Sequence, residues 1–497
     1  MPRRRASRGK RTIAGGRRAL RHVLFQAALV AAHSNPMLKA SAQRLREAGK
    51  PHKLIVTAVA RRLVAIADAP GRTRKVWEPQ GGWGIQLLAG GIDKYVPGAF
   101  LATIATIRAG GAAEMTPAAR IAAAITILDR ILAGEPAEQA LLRWARAGRF
   151  AGSSDRAALR DLVFDSLRKL RSRAALGGGM TGRSLMLGMC RETGLDPATV
   201  FTGERYAPMP LAADETAIGA MPTAAEALDL PDWLLPDWRQ ALGPEAEKLA
   251  LAMRERAPLW LRANLLRGTP EQAMAALAGE GIETRQDAGL ASALSVLSGA
   301  RRVAASQAYR DGLVELQDLS PQLACSLLPE RGSLLDYCAG GGGKALALAA
   351  RGLFPVTAHD ADPGRMVDLR VRAVRAGARI RIVEPGRLTG SFDLVVADVP
   401  CSGSGTWRRT PDAKWRLRPA DLARLAALQA RILDEAAEFV APKGALAYMT
   451  CSLLRAENQD QIAKFTQRRA GYELVEERMF TPLNASDGFY LCLMRRH

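Results

Sequence analysis

The stretch Leu334-Leu335-Asp336-Tyr337-Cys338-Ala339-Gly340-Gly341-Gly342-Gly343-Lys344 decides how the rest of the chain is read. An apolar run, a glycine-rich turn and a second apolar run after Lys344 give the order strand, tight turn, helix. Glycines let a backbone approach a ligand closely, and a helix start presents free N–H donors. Further strands are expected at 355–360, 378–383, 392–398, 444–450, 472–478 and 488–495, with helices at 344–351, 363–376, 420–440 and 457–468. This alternation predicts a Rossmann-like, mainly parallel α/β sheet over residues 311–497, with ligands at the carboxyl ends of its strands.

Two cysteines follow predicted strands directly. Cys401 lies in Asp398-Val399-Pro400-Cys401-Ser402-Gly403-Ser404-Gly405, and Cys451 in Thr450-Cys451-Ser452. In the usual strand order of such a sheet their strands are neighbours, so both thiols are expected to face one pocket beside the glycine turn. Asp360 ends the second strand, about 20 residues beyond that turn, where an acid can take both hydroxyls of a ribose. It is also placed to cap a helix ahead of Pro363. Two thiols beside a cofactor turn suit covalent catalysis on a pyrimidine. Cytosine C5 is a poor nucleophile, but a thiolate adding to C6 turns it into an enamine that can attack a sulfonium methyl group held in line. Asp398, protonated or hydrogen-bonded to the base edge, would stabilise charge on the ring. The competing reading is two core cysteines, the common state of free thiols.

The 497 residues allow two to four domains and carry a formal charge of +21. That charge is uneven. Residues 1–77 hold 19 lysines and arginines against Glu47 and Asp68, whereas the remaining 420 residues hold 51 against 47 acids. Affinity for nucleic acid must therefore come from local patches in the larger part. Six cysteines without metal-ligand spacing imply no metal site and a reducing, cytoplasmic setting. No apolar run is long enough to span a membrane. Val23–Ala32 follows arginines as a secretory signal would, but Gln26 interrupts it and the pattern continues as helix through Arg44.

Residues 1–77 form a basic helical segment, broken at Asn35-Pro36 and Gly49-Lys50-Pro51, and residues 78–114 are glycine-rich linker. A fresh start is expected at Met115, with residues 1–114 dispensable. Ile121, Ile125, Leu128 and Leu132, then Leu159, Leu162, Val163 and Leu167, recur at helical spacing, which predicts an all-helical unit over 115–195. A linker over 196–244 and a small α/β subdomain over 245–310 complete the expected order. After the Pro-Cys stretch, Arg408, Arg409, Lys414 and Arg416 form a basic loop suited to phosphates flanking a splayed-out cytidine, or simply a solvated surface.

Several of these stretches carry a resemblance. Pro400-Cys401-Ser402-Gly403-Ser404-Gly405-Thr406, Arg408-Arg409-x-Pro411-Asp412-x-Lys414-Trp415, Thr450-Cys451-Ser452 with Glu457-Asn458, Gln317-Asp318 and Asp487-Gly488-Phe489 resemble the NOL1/NOP2/Sun family of RNA cytosine-C5 methyltransferases. With the helical unit, the chain resembles that family's bacterial 16S rRNA branch (Sun/Fmu), whose N-terminal domain is NusB-like. The resemblance implies an S-adenosylmethionine-dependent methyltransferase domain that forms 5-methylcytidine in 16S rRNA, working as a cytoplasmic monomer without a membrane. It makes Cys451 the nucleophile and Cys401 the group that promotes product release, with Asp398 and Lys344 beside them. Cofactor contacts are implied for Cys338, Ala339, Gly340, Gly341, Gly342, Gly343, Lys344, Asp360, Arg365 and Asp398. Two departures stand out. Gly340-Gly341 replaces the usual Ala-Pro, and Glu384-Pro385-Gly386-Arg387 stands where Asp-Gly-Arg is usual, so Glu384 is the stand-in acid. Residues 1–77 resemble the C-terminal tail of IS110/IS116-type transposases. A DNA cytosine-C5 methyltransferase using Cys401 as nucleophile, and an inactive NusB-like RNA-binding assembly factor, remain open alternatives.

Overall fold

The computed structural model describes residues 28, 36–49, 54–60 and 115–497, apart from 149, 217, 218, 331, 353 and 354. The chain divides into two units, Met1–Ala113 and Glu114–His497. In the first, Ala42 of the helix Pro36–Glu47 and Ile55, Val56 and Val59 of a helical stretch over 54–60 form a small apolar cluster with Ala28. The transposase-like reading of 1–77 and the linker at 78–114 otherwise lie outside the described residues.

In the second unit, strands β1 (Trp260–Ala263), β2 (Thr284–Gln286), β3 (Ala293–Val296) and β4 (Val314–Leu316) form an antiparallel sheet of order β2-β3-β1-β4. The helix Pro270–Gly279 packs on it, started by a capping box between Thr269 and Gln272 and by Pro270 in the first turn. This sheet corrects the boundary expected at 310. Its fourth strand comes from 314–316, because Leu261 and Arg262 need a partner on their free edge.

Strands β5 (Leu334–Asp336), β6 (Val356–His359), β7 (Ile380–Val383), β8 (Phe392–Asp398), β9 (Val440–Thr450), β10 (Tyr472–Phe480) and β11 (Phe489–Arg496) form a seven-stranded sheet of order β10-β11-β9-β8-β5-β6-β7. β5 to β9 run parallel, and β11 inserts antiparallel between β9 and β10. Successive strand residues enter opposite cores. Leu334, Leu394, Val396, Ala447 and Met449 pack on one face, while Leu335, Val395, Ala397, Leu446 and Tyr448 pack on the other. Both faces are covered by helices, which is why β8 and β9 read as continuous apolar runs. The chain leaves β5 for β6 on one side and returns to β8 on the other, so a crevice opens at the carboxyl ends of β5 and β8.

Five helices, Pro117–Leu132, Ala137–Ala147, Ser153–Arg168, Leu170–Gly177 and Gly182–Thr193, enclose a separate core around Ile127, Leu128, Leu159, Val163 and Leu185. Thr116 caps the first of them, with Pro117 following. The stretch 196–244 is not the bare linker expected from its prolines. Leu228, Leu230, Leu234 and Trp238 are buried against Trp407, Leu422, Leu453 and Leu454. Trp238 stacks on Trp407 with ring centroids 6.3 Å apart, and its Nε1 donates to the Ala246 carbonyl at 2.8 Å. Prolines here punctuate short helices rather than free chain. Replacing Trp238 by alanine should cost about 3–5 kcal/mol of stability. Urea denaturation of the full chain checks this, and an unchanged midpoint would return the segment to linker status.

Candidate active site

Both cysteine-bearing loops leave the carboxyl ends of neighbouring strands. Val399 N–H continues the β8–β9 ladder to the Met449 carbonyl at 3.0 Å, and Gly405 N–H reaches the Cys451 carbonyl at 3.0 Å. The Sγ atoms of Cys401 and Cys451 lie 3.3 Å apart. Beneath them the fully buried Glu457 carboxylate ties the loops together. It accepts from Ser402 N–H at 2.8 Å, from the Ser402 and Ser452 hydroxyls, and from Gln429 Nε2 at 2.9 Å. Asn458 donates to the Ser452 carbonyl at 2.8 Å and accepts from Thr450 Oγ1 at 2.6 Å. A buried carboxylate is tolerable only when its oxygens are satisfied in this way.

The electrostatics separate the two thiols. The hydrogen bond from Cys401 favours the charged form of Cys451, and the nearby Lys344 ammonium assists; burial and Asp398 oppose, but the thiol still ends below its ordinary value. Cys401, holding the shared proton and buried beside a negative neighbour, is pushed well up. Lys344, in the first turn of the helix Gly343–Ala349, is ion-paired with Asp398 at the end of β8. Burial alone would lower the Lys344 pKa, yet Asp398 outweighs it and keeps the side chain charged. Asp398 thus meets the Lys344 ammonium at the mouth of the crevice. The Lys344 ammonium also sits 5.4 Å from the centroid of the Phe489 ring.

The glycine turn adopts the expected strand–turn–helix geometry. Gly340 has φ +49° and Gly342 φ +82°, and a Cβ on Gly342 would fall 2.2 Å from Leu369 Cδ1. Asp360 Oδ2 accepts from Gly340 N–H at 2.9 Å and pairs with Arg365 at 3.4 Å, while Oδ1 accepts from Asp362 N–H at 3.0 Å. The capping role before Pro363 falls to Asp362, which accepts from Gly364 N–H, so Asp360 is left with the turn. Cys338 and Ala339 run beneath that turn, and burial raises the Cys338 thiol. Glu384 follows β7 and is half exposed, 3.6 Å from Arg370. Gln317 bridges the two sheets, accepting from Arg262 Nε at 2.7 Å and donating to the Gly343 carbonyl at 3.2 Å.

One further acid, Asp336, does not stand out in the sequence. It ends β5 immediately before the turn, is 1% exposed, and has no hydrogen-bond partner of normal geometry on either oxygen. Its position at a strand end is a readable signal. Glu457 shows in the sequence only as part of a motif, and its role as a clamp needs the tertiary structure.

The basic loop is a correction. Arg408 is buried and donates to the backbone carbonyls of Glu255 and Arg256 at 3.3 and 3.0 Å. Arg409 is ion-paired with Asp318 and Asp487. Lys414 is 2% exposed, donates to the Arg168 carbonyl at 3.4 Å, and is pushed down to about 8 by burial. Of the four residues assigned to RNA, only Arg416 is half exposed, and it pairs with Asp412 at 3.1 Å. Trp415 Nε1 donates to the Leu167 carbonyl at 2.6 Å, and Ala137 N–H to Asp412 at 3.2 Å. The loop after Cys401 therefore anchors the helical unit, and its basic residues are spent on carbonyls and acids of the protein itself.

No group of three or more metal-ligating side chains occurs among the described residues. Burial and the neighbouring Asp398 raise Asp336 to about 7, although Lys344 and the Ala345 amide pull it back. A carboxyl raised in the folded state favours folding while protonated, and that contribution disappears as pH climbs from about 4 to about 7. Asp336→Asn should remove this component, so the variant should gain on the wild type as pH rises to 8. Paired urea titrations across that range measure the difference, and parallel curves would contradict it.

Comparison with known proteins agrees with this geometry. Residues 324–493 match the family described as 16S rRNA methyltransferase RsmB/F, and residues 230–303 match the ferredoxin-like domain of RsmF/B-like methyltransferases. The ribosomal RNA small subunit methyltransferase B of Serratia proteamaculans is 36% identical over 256 residues, 50% of this chain and 59% of that protein. The Xanthomonas campestris protein of the same name is 37% identical over 262 residues, 50% of this chain and 60% of that protein. The chain thus spans about three-fifths of the length of these curated relatives. The crystal structure of PH0851 shares the fold, with a TM-score of 0.60 at 21% identity over 77% of this chain and all of that one. Residues 230–303 and 324–493, which bring two thiols into contact at the strand ends, are thus similar to the RsmB/F methyltransferases.

Proposed function

We propose that the chain is an S-adenosylmethionine-dependent RNA methyltransferase that forms 5-methylcytidine in 16S rRNA through a covalent adduct on Cys451. The observation that carries this reading is the contact between Cys401 and Cys451, 3.3 Å apart beside Lys344. A structural cysteine pair would have no use for a neighbouring ammonium that favours one thiolate.

The residues present fit the cofactor. The buried Asp336 carboxylate, which lacks a hydrogen bond of normal geometry, complements an ammonium group, Asp360 at the glycine turn suits ribose hydroxyls, and Gly340 leaves room for close backbone approach. Arg365, and Glu384 after β7, border the same side. When bound, S-adenosylmethionine supplies an electrophilic methyl group on a sulfonium.

Cys451 contributes its thiolate pair to a new bond at cytosine C6, and the displaced ring electrons make C5 nucleophilic. Lys344 holds Asp398 in an ion pair, and the Glu457 clamp holds the loop that carries the sulfur in place. Once Cys451 is bonded to the ring, Cys401 no longer has the hydrogen bond and negative neighbour that kept it protonated. It is then freer to ionise and take the C5 proton. Departure of that proton restores the C5–C6 double bond and returns the C6–S pair to Cys451. Residues 115–195 are read as a NusB-like unit that helps dock the RNA, and the setting as cytoplasmic and monomeric.

Cys451→Ala should reduce methyl transfer to naked 16S rRNA by at least about a thousandfold, as expected for removal of a nucleophile. Cys401→Ala should accumulate a covalent protein–RNA species that survives a denaturing gel. Transfer retained by Cys451→Ala with the adduct forming on Cys401 would shift the assignment to the DNA-type arrangement, and transfer by neither wild type nor variants would leave only a binding role.

A further inference from the structure

Away from the thiol pocket lies a groove of about 770 Å³ between the helical unit and the four-stranded sheet. One wall is the helix Ser153–Arg168, the other the loop 297–302 after β3, and Arg408 and Arg409 complete it. Seven arginines line it against a single acid, Asp161. Arg256 and Arg301 both turn to that one carboxylate, at 3.0 and 3.3 Å, and keep 65% and 66% of their side chains exposed. Arg302 donates to the Glu280 carbonyl at 3.2 Å. Two exposed guanidinium groups sharing one carboxylate leave donors facing the groove, and each guanidinium carries five N–H groups. Leu297, 58% exposed, adds an apolar edge beside them.

We propose that this groove holds the sugar–phosphate backbone of the RNA whose cytidine enters the cysteine pocket. Three features favour an RNA strand over an acidic protein segment. Arginine forks match phosphate oxygens in bidentate fashion. The apolar edge accommodates ribose and base faces. The lining residues Arg408 and Arg409 follow Cys401 by seven and eight residues, which ties this groove to the chain segment that carries the reactive loop. The groove also takes over the role that the loop 408–416 cannot fill, since those side chains are committed internally. This rests on the RNA methyltransferase reading, but it is separable from it.

The test compares the full chain with Arg256→Ala/Arg301→Ala, and with Arg424→Ala/Arg431→Ala as a control that removes equal charge from the exposed helix Pro419–Ala437. A short fluorescent single-stranded RNA is titrated at several salt concentrations, with polyglutamate as competitor, and S-adenosylmethionine binding is measured in parallel. The groove variant should bind RNA about tenfold more weakly or worse, and its log K against log salt should flatten by about 0.7 for each phosphate that is no longer neutralised. Cofactor affinity and the control variant should match wild type. Equal RNA affinity and salt slope in the groove variant, or polyglutamate displacing RNA at equal charge, would overturn the proposal. Groove-dependent binding without methyl transfer would overturn only the catalytic reading. Transfer with unaltered binding would overturn only the groove, and wild type that binds no RNA would overturn both.

Discussion

The Glu457 carboxylate is the point on which the site depends. It lies at the end of no strand and touches neither thiol, yet Ser402, Ser452 and Gln429 all donate to it. Without that shared acceptor, the loops after β8 and β9 would each need another partner for their polar groups. Their sulfurs would then have no reason to meet. Removing one side of a buried, fully hydrogen-bonded charge leaves the other side unsatisfied, which is the costly direction of such a change. The proximity of two like nucleophiles is thus held by a third group that takes no part in the reaction.

A second dependence runs between domains. The short helix Pro411–Arg416 follows the Cys401 loop and meets the helical unit through Asp412, Lys414 and Trp415. Arg168 reciprocates by donating to the Arg408 carbonyl at 2.7 Å. Most of these bonds join a side chain to a backbone carbonyl or amide, so they specify position more than they add net stability. The helical unit and the reactive loop are therefore fixed in one geometry, and the groove between that unit and the small sheet is preformed.

Much of this was legible in the sequence because strand-end chemistry is local. The run from Leu334 to Lys344 carries its turn in its glycines, and the apolar blocks before Asp398 and Cys451 mark buried parallel strands whatever surrounds them. The loop from Arg408 to Arg416 misled for the opposite reason. Charge in a sequence is read as solvated by default, and only tertiary contacts show that Arg408 and Lys414 are buried. The linker expected over 196–244 failed similarly, since prolines mark irregular chain but not whether Leu230 and Trp238 find a core. Asp336 was visible but unremarkable until both its oxygens proved to lack partners.

The antiparallel insertion of β11 has a consequence for biosynthesis. Tyr490 pairs with Thr450, the residue before Cys451, and Gly488 N–H donates to the Gly405 carbonyl at 2.8 Å. At that crossing the two backbones lie so close that a Cβ on Gly405 would meet the Gly488 carbonyl oxygen at 2.2 Å. Residues that emerge from the ribosome after every other described element thus form the wall against which both reactive loops rest. A nascent chain lacking them has each cysteine already in place along the polypeptide, but not the finished pocket. The strand that closes the sheet beside β9 therefore also closes the pocket.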